Sequence, residues 1–235
     1  MARRRNVLLN IVGNILLDYF NAQPNPNQEE EGVPEIGELS VIQSLKKKDG
    51  AVISIIGAPT MGKTVCSHRL AEIIGRPTYT ISQAEKPPPW IQPLALEQLD
   101  TLPPKYSTLI LDDILTFMSS RDYNDPFVQA LERIAPTARH ERKIILIFNT
   151  QVASLTDKYA LTGELVILKA PSVLYADLER PMVKKLQDGA YEYWEGKSEK
   201  WLQKHAFIIS HFWKGLVRIN LPSVPQTSTN SSGFS

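Results

Sequence analysis

Gly57, Ala58, Pro59, Thr60, Met61, Gly62, Lys63 and Thr64 run in one stretch, with glycine at its first and sixth positions and Lys-Thr directly after the second glycine. Glycines allow a turn tight enough for successive N–H groups to converge on an anion. A lysine and a hydroxyl placed just after them suit a polyphosphate and its Mg²⁺. Such a loop works only as the turn between a buried strand and a helix. The apolar run 51–56 (Ala-Val-Ile-Ser-Ile-Ile) precedes it, and a helical pattern from Lys63 to about Ile74 follows. The start of that helix favours anions through its exposed N–H groups and its dipole. Lys63 is therefore assigned to the β- and γ-phosphates, and Thr64 to the metal. Cys66 is counted with the same nucleotide-contacting stretch, and its side chain is expected to act as small core filler.

Two further segments carry polar groups at the ends of apolar strands. Thr108-Leu-Ile-Leu-Asp112-Asp113 ends in paired acids. Asp112 is assigned to Mg²⁺, directly or through water, and Asp113 to polarising an attacking water. The second segment, 142–148 (Arg-Lys-Ile-Ile-Leu-Ile-Phe), leads into Asn149-Thr150-Gln151. Polar side chains there suit a γ-phosphate sensor at the carboxyl edge of a parallel sheet. A plain turn would also account for them.

Positioning these groups requires an α/β architecture. Apolar strands are expected at 51–56, 77–81, 108–113, 142–148 and 164–168, with helices at 38–47, 63–74, 125–134 and about 176–193. Near-continuous apolar strands alternating with helices imply a mostly parallel central sheet flanked by helices on both faces. Segments 206–210 and 216–221 flank Phe212-Trp-Lys-Gly215 and predict a closing hairpin. Lys86-Pro-Pro-Pro-Trp-Ile-Gln-Pro93 is expected to be a stiff exposed loop with Trp90 buried beneath it. Residues 1–37 divide into an amphipathic helix and a linker over 22–37. Residues 38–221 form the catalytic domain, and 222–235 a Ser/Thr/Asn-rich disordered tail.

The chain has 235 residues, of which 43% are apolar and 22% charged, enough for one substantial core. Its 26 basic and 25 acidic residues give a net charge of +1, so any polyanion partner must be met by local clusters. Lys46–Lys48, Arg121 and Lys184-Lys185 are the candidates. The single cysteine leaves no intramolecular disulfide and no cysteine zinc cluster. In the N-terminal segment, Asn6, Asn10, Asn14 and Asp18 recur every fourth residue along an otherwise apolar helix. That pattern fits burial against a core or subunit, or contact with a capsid component or a membrane.

Arg139-His140, a short apolar strand and then Thr150-Gln151, together with the phosphate loop and Asp112-Asp113, resemble the FtsK–HerA superfamily of P-loop ATPases, most closely its viral genome-packaging branch. The resemblance spans roughly residues 50–170. It implies a RecA-like core, ATP and Mg²⁺ as ligands, and a homo-oligomeric ring, usually a hexamer, that pumps double-stranded DNA. It also implies that Gln151 couples the γ-phosphate state to movement, and that the neighbouring subunit supplies an arginine, for which Arg139 and Arg142 lead and Arg133 and Arg121 follow. In that setting the protein is expected in the host cytoplasm, with association with the virion as a further expectation. Zot-like ATPases of virion assembly or secretion share part of the pattern. They generally carry a transmembrane helix after the ATPase domain, and no such segment is expected here.

Overall fold

A computed structural model describes residues 32–82, 86–99, 103–112, 126–151, 163–172 and 181–220. The N-terminal helix, Asp113, Arg121 and the tail lie outside the described residues. Eight strands form one sheet: β1 (Ala51–Ile56), β2 (Thr78–Ile81), β3 (Ile91–Pro93), β4 (Thr108–Leu111), β5 (Ile145–Thr150), β6 (Leu165–Leu168), β7 (His205–Ser210) and β8 (Lys214–Arg218). Their order across the sheet is β3-β2-β4-β5-β1-β6-β7-β8. The six from β3 to β6 are parallel, and β7 and β8 add an antiparallel hairpin. The helices are α1 (Ser40–Leu45), α2 (Lys63–Ile74), α3 (Pro126–Thr137), α4 (Pro181–Trp194) and α5 (Glu199–Lys204).

The mostly parallel α/β sheet expected from the sequence is present, and side-chain alternation explains its two covered faces. On β1, Ile53 and Ile55 point to the face packed by α1 and α2, in one cluster with Ile145, Ile147, Ile42, Leu45 and Leu70. Val52 points to the opposite face, with Leu146, Phe148, Leu109 and Leu111, under Ala130 and Ile134 of α3. Ile56 and Leu168 face that side too, under Val183, Leu186 and Ala190 of α4. Every residue of β1, β4, β5 and β7 is buried. Each fully buried Ile or Leu contributes about 1.5–3 kcal/mol through removal from water.

Three departures from expectation have simple causes. Ile91–Pro93 is not loop but a short edge strand, paired in parallel with Thr78–Thr80. A proline is tolerated there because an edge strand leaves one side without ladder bonds. Trp90, expected to be buried, is 45% exposed and meets only the edge of the His68 ring, at 6.4 Å between centroids. The turn at 89–90 sits ahead of β3, the outermost strand of the sheet on that side. Finally, the packed structure begins before the expected boundary at residue 38. Val33 and Ile36 are buried, Glu35 pairs with Arg218 of β8 at 2.9 Å, and the Arg218 N–H donates to Pro34 O.

Candidate nucleotide site

β1 ends at Ile56 and the chain turns through 57–62 into α2. Two bonds fasten the start of the turn to its neighbours. The Gly57 N–H donates to Thr150 O of β5 at 3.2 Å, and the Ala58 N–H to Ala170 O after β6 at 2.9 Å. Gly57 admits no side chain, since a Cβ would stand 2.5 Å from that of Lys169. Thr60 and Gly62 adopt φ of 64° and 77°, which reverses the chain and brings Gly62 to the N-cap of α2. No side chain caps this helix. Its first N–H groups, which by helix geometry have no acceptor within the helix, are thus directed to the loop's concavity, where an anion fits. The buried Lys63 ammonium folds over the loop and donates to Ala58 O at 2.8 Å.

β5 lies between the phosphate-loop strand and the acidic strand β4, and that interposition builds the rest of the site. The Thr64 hydroxyl donates to Asp112 Oδ2 at 2.8 Å. The Asn149 amide, at the end of β5 and fully buried, donates to Asp112 Oδ1 at 2.7 Å and to Ser67 Oγ at 3.0 Å. The Ser67 hydroxyl donates to Thr64 O at 2.8 Å. A carboxylate only accepts, so the direction of these bonds is fixed by Asp112. Asp112 therefore has one oxygen turned to Thr64 and the other held by Asn149. Asn149 Oδ1 is buried with no partner.

Among the described residues no group of three or more His, Cys, Asp or Glu gathers into a metal cage. The Thr64 hydroxyl and the Asp112 carboxylate do suit Mg²⁺, which takes one or two protein oxygens and fills its octahedron with water and substrate phosphate oxygens. A larger preformed cage would suit Ca²⁺ or Zn²⁺ instead.

The remaining assignments separate by place. Gly57 through Gly62 form the turn, Lys63 and Thr64 open α2, and Cys66 lies in the core, where its side chain was expected. Its side chain is fully buried, its N–H donates to Gly62 O, and burial pushes its thiol up to about 11. Thr150 and Gln151 stand at the loop's edge of the sheet, with Thr150 bonded to Gly57. Of the three polar residues ending β5, Asn149 is the one that touches Asp112, a choice that hydrophobic patterning could not make. Ser67 was likewise hidden within an ordinary helical turn.

Arg139 and Arg142 stand at the opposite edge, where β1 and β5 begin. The Arg139 backbone lies against Gly50, the residue before β1, and its guanidinium pairs with Glu164 ahead of β6. The other oxygen of Glu164 accepts the Val52 N–H at 2.8 Å. Six residues of β1 separate this edge from the phosphate loop, a rise of about 20 Å. Neither arginine reaches the nucleotide site of its own chain. Arg133 is exposed on α3, Lys46–Lys48 lie by Gly50 at the arginines' edge, and Lys184-Lys185 are exposed on α4.

No protein-family model matches the sequence, and no curated protein matches it. Solved structures do share its fold. The DNA-packaging ATPase B204 from Sulfolobus turreted icosahedral virus aligns with a TM-score of 0.51 at 15% identity, covering 74% of this chain and 98% of that one. The genome packaging NTPase B204 from Sulfolobus turreted icosahedral virus 2, in complex with AMPPCP, aligns with 0.51 at 12% identity, covering 74% and 100%. In fold, then, this chain is similar to two viral packaging NTPases, and its phosphate loop, acidic strand and intervening strand are set out on that common sheet.

Proposed function

We propose that this chain is an ATP-hydrolysing motor that translocates double-stranded DNA into a viral capsid, acting in the host cytoplasm as a homo-oligomeric ring, on the family pattern a hexamer. The observation that carries the reading is the chain of bonds Thr64–Asp112–Asn149 beside an uncapped helix start. It is a metal-ready, phosphate-ready site on a fold shared with packaging NTPases.

In this reading Lys63 leaves Ala58 O and pairs with the β- and γ-phosphates, while the N–H groups of the loop hold the β-phosphate. Thr64 and Asp112 would hold Mg²⁺, which supplies neutralisation of phosphate charge. Asn149 fixes the Asp112 carboxylate so that its orientation is set before substrate arrives, which lowers reorganisation during the reaction. Asp113 activates water and Gln151 reports the γ-phosphate. Because Arg139 sits about 20 Å from its own loop, any role in stabilising transition-state charge must be played at a neighbour's site. That requirement supports a ring. The N-terminal segment then remains for contact with a capsid or internal membrane.

The test is steady-state ATP turnover by the full chain with and without duplex DNA. Turnover should rise with DNA and vanish in Lys63→Ala. Turnover from a monomer, unchanged by nucleic acid, sinks the motor reading and leaves a simple NTPase.

A further inference from the structure

Lys169 follows β6 and is completely buried. Among the described residues no carboxylate pairs with it. Its ammonium donates to three main-chain carbonyls, Leu202 O at 3.0 Å, Gln203 O at 2.8 Å and His205 O at 2.5 Å. Leu202 and Gln203 belong to the last turn of α5 and His205 follows it; Leu202 O also accepts the His205 N–H, and Lys204 O the Ile219 N–H. A helix end exposes carbonyls with no partner within the helix and carries the negative pole of its dipole.

That negative pole lies against the back of the phosphate loop. Gln203 Nε2 donates to Thr60 O at 3.2 Å. A Cβ on Gly62 would stand 3.0 Å from Gln203 O, and one on Gly57 2.5 Å from Lys169 Cβ. The Lys169 N–H also donates to Ile56 O at 2.7 Å. Carbonyl oxygens pointed at an anion site weaken it unless a positive charge neutralises them. A buried ammonium is itself costly without a counter-charge, and three carbonyls compensate only part of that cost. Bound phosphates would supply the missing negative charge.

We propose that Lys169 is a positioning residue for the nucleotide: its ammonium clamps the end of α5 behind the phosphate loop, and it holds its proton more firmly when phosphates are bound, so that the protonated form binds nucleotide more tightly. The inference rests on the nucleotide-binding reading of this site and goes beyond it by coupling affinity to a proton on a residue outside the loop.

The electrostatics agree with the geometry. Burial brings the Lys169 ammonium down to about 8, the Cys66 thiol opposes that fall and the Lys63 charge adds to it. Among the described residues the titratable groups near it are Lys63, Cys66 on α2 and His205 at the start of β7, whose Nδ1 is 2.8 Å from Trp201 O. Glu199, Lys200 and Lys204 of α5 are exposed. The free site thus loses the Lys169 proton in the mildly alkaline range, and by linkage a ligand that favours the protonated form binds less well as that proton leaves.

The experiment is the Kd of a fluorescent ATP analogue with Mg²⁺ for the full chain, measured from pH 7.5 to 9.5, with thermal melts alongside. Wild type should weaken by about threefold or more across that range. Lys169→Met should be weak already at pH 7.5 and show no slope, although it keeps Lys63. Gln203→Ala, which unlinks α5 from Thr60 without burying a bare charge, should weaken binding about twofold to threefold at every pH and keep the slope. A flat wild-type profile overturns the proposal, as does a slope that persists in Lys169→Met. If Lys169→Met fails to fold, the wild-type profile and Gln203→Ala still decide. Absence of analogue binding at any pH by folded wild type would instead overturn the nucleotide reading itself.

Discussion

Where β1 ends, polar side chains are buried and tied to one another: Asp112 to Thr64 and Asn149, Asn149 to Ser67, Lys63 to the loop. Where β1 begins, charge lies at the surface. Lys46, Lys47, Lys48, Arg139 and His140 are exposed, Lys143 reaches Asp49 at 3.4 Å and Tyr106 Oη at 3.0 Å, and the better-buried Glu164 anchors Arg139 to the strand. The first edge gathers the loop, Thr64 and Asp112 into the arrangement proposed for a metal-bound polyphosphate. The second has cationic groups that its own nucleotide site cannot use, at a distance fixed by the length of one strand. On the proposed reading, such a molecule would supply half of one site and half of another, and a second copy would bring the halves together.

Disabling each edge separately gives the widest expected effect. Lys63→Ala should lower ATP turnover by about a hundredfold or more, and Arg139→Ala should do the same through the other edge. Mixing the two inactive proteins should restore part of the turnover, since each supplies what the other lacks. An inert mixture, with both variants assembled, would refute the division of labour. Next in size, Asn149→Ala should weaken Mg²⁺ dependence of turnover by about tenfold to a hundredfold, while nucleotide binding without metal changes little. A metal titration of turnover reads this directly.

At the opposite edge, Gly50→Ala would place a Cβ 2.4 Å from Ala138 O and 2.8 Å from Arg139 Cα. Denaturant unfolding should show a loss of about 1–3 kcal/mol from that overpacking. The nucleotide Kd should stay near wild type, because the displaced backbone lies far from the loop. The smallest effect belongs to Trp90→Ala, which should change stability by less than about 0.5 kcal/mol, since the ring is half in solvent. A larger loss would mean that a partner or another segment covers it.

The sequence carried the sheet well because its central strands are unbroken apolar runs, Ala51–Ile56 and Ile144–Phe148 among them, which parallel pairing with both faces covered demands. The phosphate loop and Asp112 were legible for a related reason: each sits at the fixed end of such a run. What stayed hidden depends on residues far apart in the chain. Lys169 reads as a charge closing a strand, and only α5, more than thirty residues later, supplies the carbonyls that hold it inside. That helix itself is six residues with two apolar side chains, too short for periodicity to register, although Ser198 caps it by accepting the Trp201 N–H. The Arg139–Glu164 pair is equally silent, since neither residue carries a local signal of the other. Asp113 and Arg121, assigned from the sequence, fall outside the described residues.

The proline-rich stretch before β3 limits strand addition at that rim of the sheet. Leu94 turns its N–H inward to Thr80 O, so by strand alternation Ile91 and Pro93 face away from the sheet. The Ile91 N–H is taken by Pro88 O, and Pro93 has none to give. The outer rim of β3 therefore offers no donor to a visiting strand. At the far rim, residues 34–35 already cover the end of β8. Rims blunted in this way, among the described residues, resist growth into fibres by the addition of strands at these positions.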